Sequence, residues 1–246
     1  MSEKVLLVYG GFSAEREVSI SSKNDIASAL KSKGYTVIEH DLTDVWTFLD
    51  TLKTEKPDVV YNGLYGNWGE DGELQGLLDL LQIPYTHSGL KASALGMDKY
   101  LTKLLASAAG VKVAQGEKTT AAAYLQNGTN ISYPYVVKPV CDGSSVGVYI
   151  VHNAEEAKRV TYSAPNLPIL IEPYIAGREL TVMCLEGKAS VITELKTDCS
   201  FYDYQAKYTT GKTHHILPAE LPENIAETCK RYTEIVYNAL DCHTVA

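Results

Sequence analysis

Val5-Leu6-Leu7-Val8-Tyr9-Gly10-Gly11-Phe12-Ser13-Ala14-Glu15-Arg16-Glu17-Val18-Ser19 reads as a strand, a glycine turn and the opening of a helix. Five apolar residues in a compact run end at Gly10-Gly11, and Glu17 to Lys33 then follows a helical pattern stopped at Gly34. Further strands are expected at Thr36 to His40 and Val59 to Tyr61, and helices at Val45 to Leu52 and Leu74 to Leu81. Strand–helix alternation of this kind predicts a parallel sheet with helices packed on it. Ligands of such sheets bind beyond the carboxyl ends of the strands, where Gly10-Gly11 and Asn62-Gly63 fall. The amides that open the first helix point at whatever binds there. Glu15 and Glu17 both suit the dipole of a first helical turn, yet one acid is enough for that role. A carboxylate at a ligand-facing strand end is also what an ammonium substrate requires.

Farther along, the turn-rich segment from Pro84 to Gly89 places a boundary near Ser88 to Ser93. Asp98 is set to cap a helix carrying Leu101, Leu104, Leu105 and Ala108 on one face and ending near Gly110. Tyr135 to Lys138 reads as a strand running into Cys141-Asp142-Gly143-Ser144-Ser145-Val146-Gly147, with Val148 to Val151 returning and Asn153 opening a short helix. Gly143 and Gly147 permit backbone shapes closed to other residues, so exposed N–H groups and two hydroxyls can close over a polyphosphate. This loop is neither a P-loop nor a dinucleotide fingerprint, because no helix follows it; by itself it also fits a plain hairpin turn. Lys138, just before the loop, can meet phosphate charge or simply snorkel from a strand end. Lys99 reads alone as a solvated helix residue. Glu172 interrupts the apolar strand Ile169 to Ile175 and needs a partner, either a nucleotide donor or a neighbouring lysine. Leu180 to Leu185 and Ala189 to Leu195 are further strands, Lys196 to His215 has the length of a binding loop, and Glu223 to Leu240 is a last helix.

Composition excludes several classes. The 246 residues carry a formal charge of −8, whereas a nucleic-acid footprint needs a basic face. The five cysteines, Cys141, Cys184, Cys199, Cys229 and Cys242, are odd in number and never spaced as C-x-x-C, which fits a reducing cytoplasm rather than a disulfide framework or zinc site. No apolar run approaches the ~18 residues that span a bilayer. The opening MSEKVLLVYGGF lacks a small-residue cleavage site and fits a first strand better than a signal peptide. A cytoplasmic protein without membrane or nucleic-acid partners is expected.

GGFSAEREVS, GNWGEDGELQGLLDLLQIPYTHSG, SALGMDKYLTKLL, PYVVKP, DGSSVGV, LIEPYIAGRELTV and FYDYQAKY occur in this order. From Val5 to about Cys242 the chain resembles the D-alanine–D-alanine ligases of the ATP-grasp class. The resemblance implies an α/β fold in three parts. Residues 1–92 form a parallel-sheet domain binding the first D-alanine, 93–172 a central α+β subdomain with the glycine-rich loop, and 173–246 an incomplete C-terminal α+β subdomain with a mobile loop. It implies that Glu15 holds the ammonium of the first D-alanine, and that Ser144 hydrogen-bonds this glutamate and Tyr208. Lys99 and Lys138 contact ATP phosphates beside Ser145, Glu172 and Ile175 lie in the adenine hinge, Glu179 binds ribose and Lys207 reaches the γ-phosphate. Attack of a D-alanine carboxylate on that phosphate gives an acyl phosphate, which a second amine converts to the dipeptide used in peptidoglycan synthesis. Positioning and charge neutralisation dominate such chemistry, and a closed loop keeps water from the intermediate. Lys207-Tyr208 favours an amine acceptor over a hydroxy acid.

Two departures stand out. Family members often carry histidine where this chain has Tyr65, which hydrogen-bonds but carries no positive charge at neutral pH. After a strand like Cys242 to Ala246, the family continues into Arg-x-Asp and Glu-x-Asn segments that bind Mg2+ or Mn2+. No metal ligand is therefore assigned within the 246 residues, and this exact chain is expected to be inactive. Other open readings are a non-catalytic nucleotide- or substrate-binding remnant and another ATP-grasp carboxylate–amine ligase. The resemblance also suggests a homodimer through the N-terminal domain.

Overall fold

The apolar run at the start forms β1 (Lys4–Gly10), the centre of a three-stranded parallel sheet. It pairs on one side with β2 (Thr36–Leu42) and on the other with β3 (Val59–Asn62). Leu6, Leu7 and Val8 are wholly buried, as expected where both faces of a parallel sheet are covered. Helices α1 (Arg16–Ser32), α2 (Val45–Glu55), α3 (Glu73–Leu81) and α4 (Leu90–Met97) follow the strands. Asp44 caps α2 by accepting from the Thr47 N–H at 2.8 Å. Phe48 and Leu52 then meet Leu6, Val8 and Val60 in one core cluster. The described residues are 2–197 and 213–246 of a computed structural model. They divide into two units, Met1–Gly96 with Asp241–Ala246, and Met97–Leu240. None of their helices is long and apolar enough to cross a membrane.

The last six residues belong to the first unit. Ser88 Oγ accepts from the His243 N–H at 3.1 Å and donates to the His243 carbonyl at 3.2 Å, and Lys91 pairs with Asp241 at 3.1 Å. The strand expected at Cys242 to Ala246 shrinks to a single bridging residue, Val245.

The second unit opens with α5 (Lys99–Ala108) and a four-stranded antiparallel sheet. Its strands are β4 (Glu117–Thr120), β5 (Tyr135–Pro139), β6 (Tyr149–Val151) and β7 (Pro168–Pro173), in the order β4-β7-β5-β6. Helix α6 (Ala121–Asn127) follows β4, and α7 (Ala154–Ala157) follows β6 under an Asn153 cap. Tyr135, Val137, Ile169 and Ile171 face a buried cluster with Tyr124. A second sheet, ordered β10-β9-β8, holds β8 (Glu179–Leu185), β9 (Lys188–Thr197) and β10 (Thr213–Ile216). Helix α8 (Glu223–Ala239) joins it through Glu234, which accepts from the Ala189 N–H at 3.2 Å.

Several elements differ from the sequence reading. β7 ends at Pro173 rather than Ile175, although the Tyr174 N–H still donates to the Pro134 carbonyl at 3.0 Å. Within the stretch read as one long connection, β9 runs to Thr197 and β10 starts at Thr213; both segments are polar, which hid them. The polar strand β4 and the short α4 and α6 were also not anticipated.

Candidate active site

At the carboxyl end of β1 the backbone turns through Gly10 (φ 80°) and Gly11 (φ 78°). A Cβ on Gly10 would fall 2.1 Å from Asp41 Oδ1, so only glycine lets the turn lie against the end of β2. Arg16 fastens that turn, donating to Asp41 Oδ1 and Oδ2 at 2.8 and 2.6 Å and to the Gly11 carbonyl at 3.2 Å. Hydrogen bonding to Asp41 raises the Arg16 pKa, and the bidentate fork fixes direction as well as charge. Glu15, at the N-cap position of α1, makes no side-chain capping bond there and is buried. Ser13 Oγ holds the turn by accepting from the Glu15 N–H at 3.1 Å and donating to the Tyr65 carbonyl at 2.6 Å. Gly66 (φ 70°) lies over the carboxylate: a Cβ there would stand 2.6 Å from Glu15 Oε2. The structure thus brings Glu15 and the Tyr65–Gly66 turn together, and Tyr65 Oη itself points to Ser22 at 3.4 Å. Behind them Asn62 and Gln75 both donate to the Gly69 carbonyl, at 2.7 and 2.6 Å.

In the second unit, register places Lys138 of β5 opposite Leu170, and Val136 opposite Glu172 of β7. Alternation puts these four on one face of the sheet, with Tyr135, Val137 and Ile171 on the core side. Lys118 of β4 pairs with Leu170 and shares the lysine face. Glu172, 5% exposed, receives Lys103 at Oε1 and Lys138 at Oε2. The carboxylate that interrupts an apolar strand is therefore neutralised by neighbouring lysines. α5 lies over this face, capped by Asp98, whose Oδ1 accepts from the Tyr100 and Leu101 N–H groups at 2.9 Å each. Asp98 Oδ2 also stands 3.5 Å from Lys118.

The helix does not bury the stripe its leucines suggested. Leu101 and Leu104 are 38% and 49% exposed, whereas Ala106 is buried and Lys103 has a side-chain exposure of only 20%. The buried charge of Glu172 turns the cationic face of α5 inward, outweighing its apolar stripe. Lys99 is likewise no plain surface lysine. Its Nζ donates to the carbonyls of Val140 and Asp142 at 3.4 and 2.5 Å, tying α5 to the start of the glycine-rich loop. Burial and the charges of Lys103 and Lys99 lower the Lys138 pKa to about 8, and burial lowers that of Lys103. Lys103 and Lys118 were not singled out from sequence. The four-residue spacing of Lys99 and Lys103, which puts both on one helix face, was the available signal.

The loop after β5 takes a shape its glycines did not forecast. Ser144 (φ 49°) and Ser145 (φ 61°), not Gly143, occupy the left-handed region together with Gly147 (φ 69°). Non-glycine residues held there store strain of about 1–2 kcal/mol each. Val146 N–H donates to the Gly143 carbonyl at 3.1 Å, and Tyr162 Oη to the Gly147 carbonyl at 2.8 Å.

Beyond β7, Ile175 is 70% exposed and Glu179 opens β8 at the surface. Between them Arg178 donates to both oxygens of buried Glu194, at 2.8 and 2.6 Å, and to the Glu220 carbonyl at 2.9 Å. Lys207 and Tyr208 lie outside the described residues. Glu15 and Tyr65 belong to the first unit, and Lys99, Lys138, Ser144, Ser145, Glu172, Ile175 and Glu179 to the second. Among the described residues no group of three or more His, Cys, Asp or Glu side chains can hold a metal ion.

Comparison with known proteins gives this geometry a lineage. Residues 105–246 match the family described as the D-ala D-ala ligase C-terminus. A D-alanine--D-alanine ligase of Ruegeria pomeroyi is 46% identical over 241 residues, covering 97% of this chain and 77% of the relative. That of Ruegeria sp. (strain TM1040) is 43% identical over 243 residues, covering 99% and 78%. Among solved structures, D-alanine--D-alanine ligase from Bacillus anthracis superposes with a TM-score of 0.83 at 29% identity, covering all of this chain and 81% of that one. The same enzyme complexed with ATP gives 0.80 at 28% identity. With its three-stranded parallel sheet, its paired antiparallel sheets and relatives of this identity along nearly its whole length, the chain has the ATP-grasp fold and belongs to the D-alanine–D-alanine ligase family.

Proposed function

We propose that the chain works as an ATP-dependent, ADP-forming ligase that joins two D-alanines. The observation that carries this reading is the set of four lysines beside the glycine-rich loop, Lys118 and Lys138 from one sheet face and Lys99 and Lys103 from the helix over it. A cation cluster of that density beside strained, amide-rich backbone suits a polyphosphate. In this reading Lys138 and Lys99 meet the phosphates with Ser144 and Ser145, Glu172 and Ile175 border the adenine, and Glu179 takes the ribose. Lys207 reaches the γ-phosphate.

ATP, when bound, supplies the phosphoryl group that makes a carboxylate acylating. The protein's own task is then to hold the amino acids and the charge. Glu15, buried beside Tyr65 and Gly66, offers its carboxylate to the ammonium of the first D-alanine, and Ser144 and Tyr208 keep the substrate-orienting roles that the family resemblance implies. The residues described do not themselves supply a magnesium site; in this reading the Mg2+ or Mn2+ ligands belong to the Arg-x-Asp and Glu-x-Asn segments of the family. A homodimer through the first unit, a cytoplasmic location and a place in peptidoglycan precursor supply complete the reading.

The test is ATP binding by calorimetry, followed by phosphate release and chromatography of the product with D-alanine, magnesium and ATP. D-alanyl-D-alanine is the expected product. A depsipeptide formed in preference with D-lactate would overturn the acceptor assignment, and absence of ATP binding would overturn the phosphate assignment. Binding of ATP without turnover would favour a non-catalytic role for this exact chain.

A further inference from the structure

Glu172 carries one negative charge and two ammonium partners, one on each oxygen. Removing a sole partner from a carboxylate this deeply buried is strongly disfavoured. Two cations are more than neutrality needs, and their settings differ. Lys103 projects from the inward face of α5, a helix pinned at its start by the Asp98 cap and by the Lys99 contacts to Val140 and Asp142. Lys138 sits near the end of β5, two residues from the loop that opens at Val140.

We propose that Lys103 is a positioning residue for Lys138: it stays on Glu172 Oε1 as a resident counter-ion, so that Lys138 is free to leave Oε2 for a phosphate. The inference rests on the assignment of Lys138 to the ATP phosphates and explains how that lysine becomes available. Without Lys103, Glu172 holds Lys138 as its sole counter-ion, and phosphate must compete with a buried ion pair. The charges facing Lys138 are Glu172 from β7 and Lys99 and Lys103 from α5, while Lys118 from β4 is turned to Asp98. Crowding among the lysines and burial weaken the hold of Lys138 on its proton, so an arriving polyanion is met by an ammonium with little to keep it in place.

The experiment is a double-mutant cycle on ATP affinity, measured calorimetrically on the full chain from pH 6.5 to 9.5. Lys103→Met should weaken ATP binding roughly tenfold and move its alkaline limb to higher pH, because Lys138 then keeps its proton against Glu172. In the Glu172→Gln background the same substitution should change affinity less than about threefold, since no anion remains to trap Lys138. Lys103→Arg, which keeps the charge, should bind as the unaltered protein does. Equal losses in both backgrounds, or an unmoved alkaline limb, would overturn the proposal. Should Lys103→Met fail to fold, lysine acylation of the unaltered protein, mapped by mass spectrometry, decides. ATP shielding Lys138 while leaving the reactivity of Lys103 unchanged supports the assignment, and the reverse pattern overturns it. Failure of the unaltered protein to bind ATP would remove the phosphate reading itself, an outcome distinct from any difference among the variants.

Discussion

Gly66 shows how one missing methyl group can make a site. Its φ of 70° and the 2.6 Å separation between a built Cβ and Glu15 Oε2 leave no room for a side chain. Gly66→Ala should destabilise the protein by more than about 1 kcal/mol and displace the Glu15 carboxylate. Calorimetry with D-alanine should show lost affinity while ATP affinity is retained. Lys138 supplies a second prediction. Phosphate stabilises its charged form, and its pKa in the ligand-free protein is about 8. ATP binding should therefore take up a proton above pH 8, with affinity falling about tenfold per pH unit until the pKa of the complex is reached. Lys138→Met should abolish that slope and weaken binding roughly 10–100-fold at pH 7, as titrations in buffers of different protonation enthalpy will report.

Among the elements, Arg178 staples the segment between β7 and β8 to β9 and to the Glu220 carbonyl. Its hydrogen bonds hold the Glu194 pKa below the ordinary value of 4.5. The resulting stability is full above that value and is lost as pH falls through the lowered one. Arg178→Met should consequently lower Tm most near neutral pH, and the gap to the unaltered protein should narrow as Glu194 becomes protonated under acid conditions. Legibility in the sequence followed the same physics. β1 and α2 stood out because their apolar residues agreed with their final burial, and α1 because Gly34 stops its helical pattern. The inward face of α5 did not, because Lys103 and Glu172 settle their orientation by pairing across 69 residues of chain. Glu15, Lys138 and Glu172 were visible as chemistry at strand ends. The left-handed serines of the loop were not, since serine carries no local signal for that backbone shape.

The described residues divide into two units, with Glu15 and Tyr65 in the first and the lysines assigned to the phosphates in the second, and hydrogen exchange can read the two apart. ATP should slow exchange in β5, β7 and α5, and D-alanine should slow it around residues 10–16 and 63–70; the opposite pattern would reverse the assignments. At 100 times Kd, ATP should add about 2.7 kcal/mol of stability, visible as a rise in Tm of roughly 5–11 °C. The return of Asp241–Ala246 to the first unit also bears on how the protein is made. Ser88 finds its partner His243 only after another 155 residues, a wait on the ribosome of about ten to thirty seconds. For that interval the first unit exists as a nascent body without its final clasp, while the second unit is still being synthesised. Its sheet must therefore hold together on β1, β2 and β3 alone, and chaperone contact during synthesis should concentrate around Ser88 until the tail emerges.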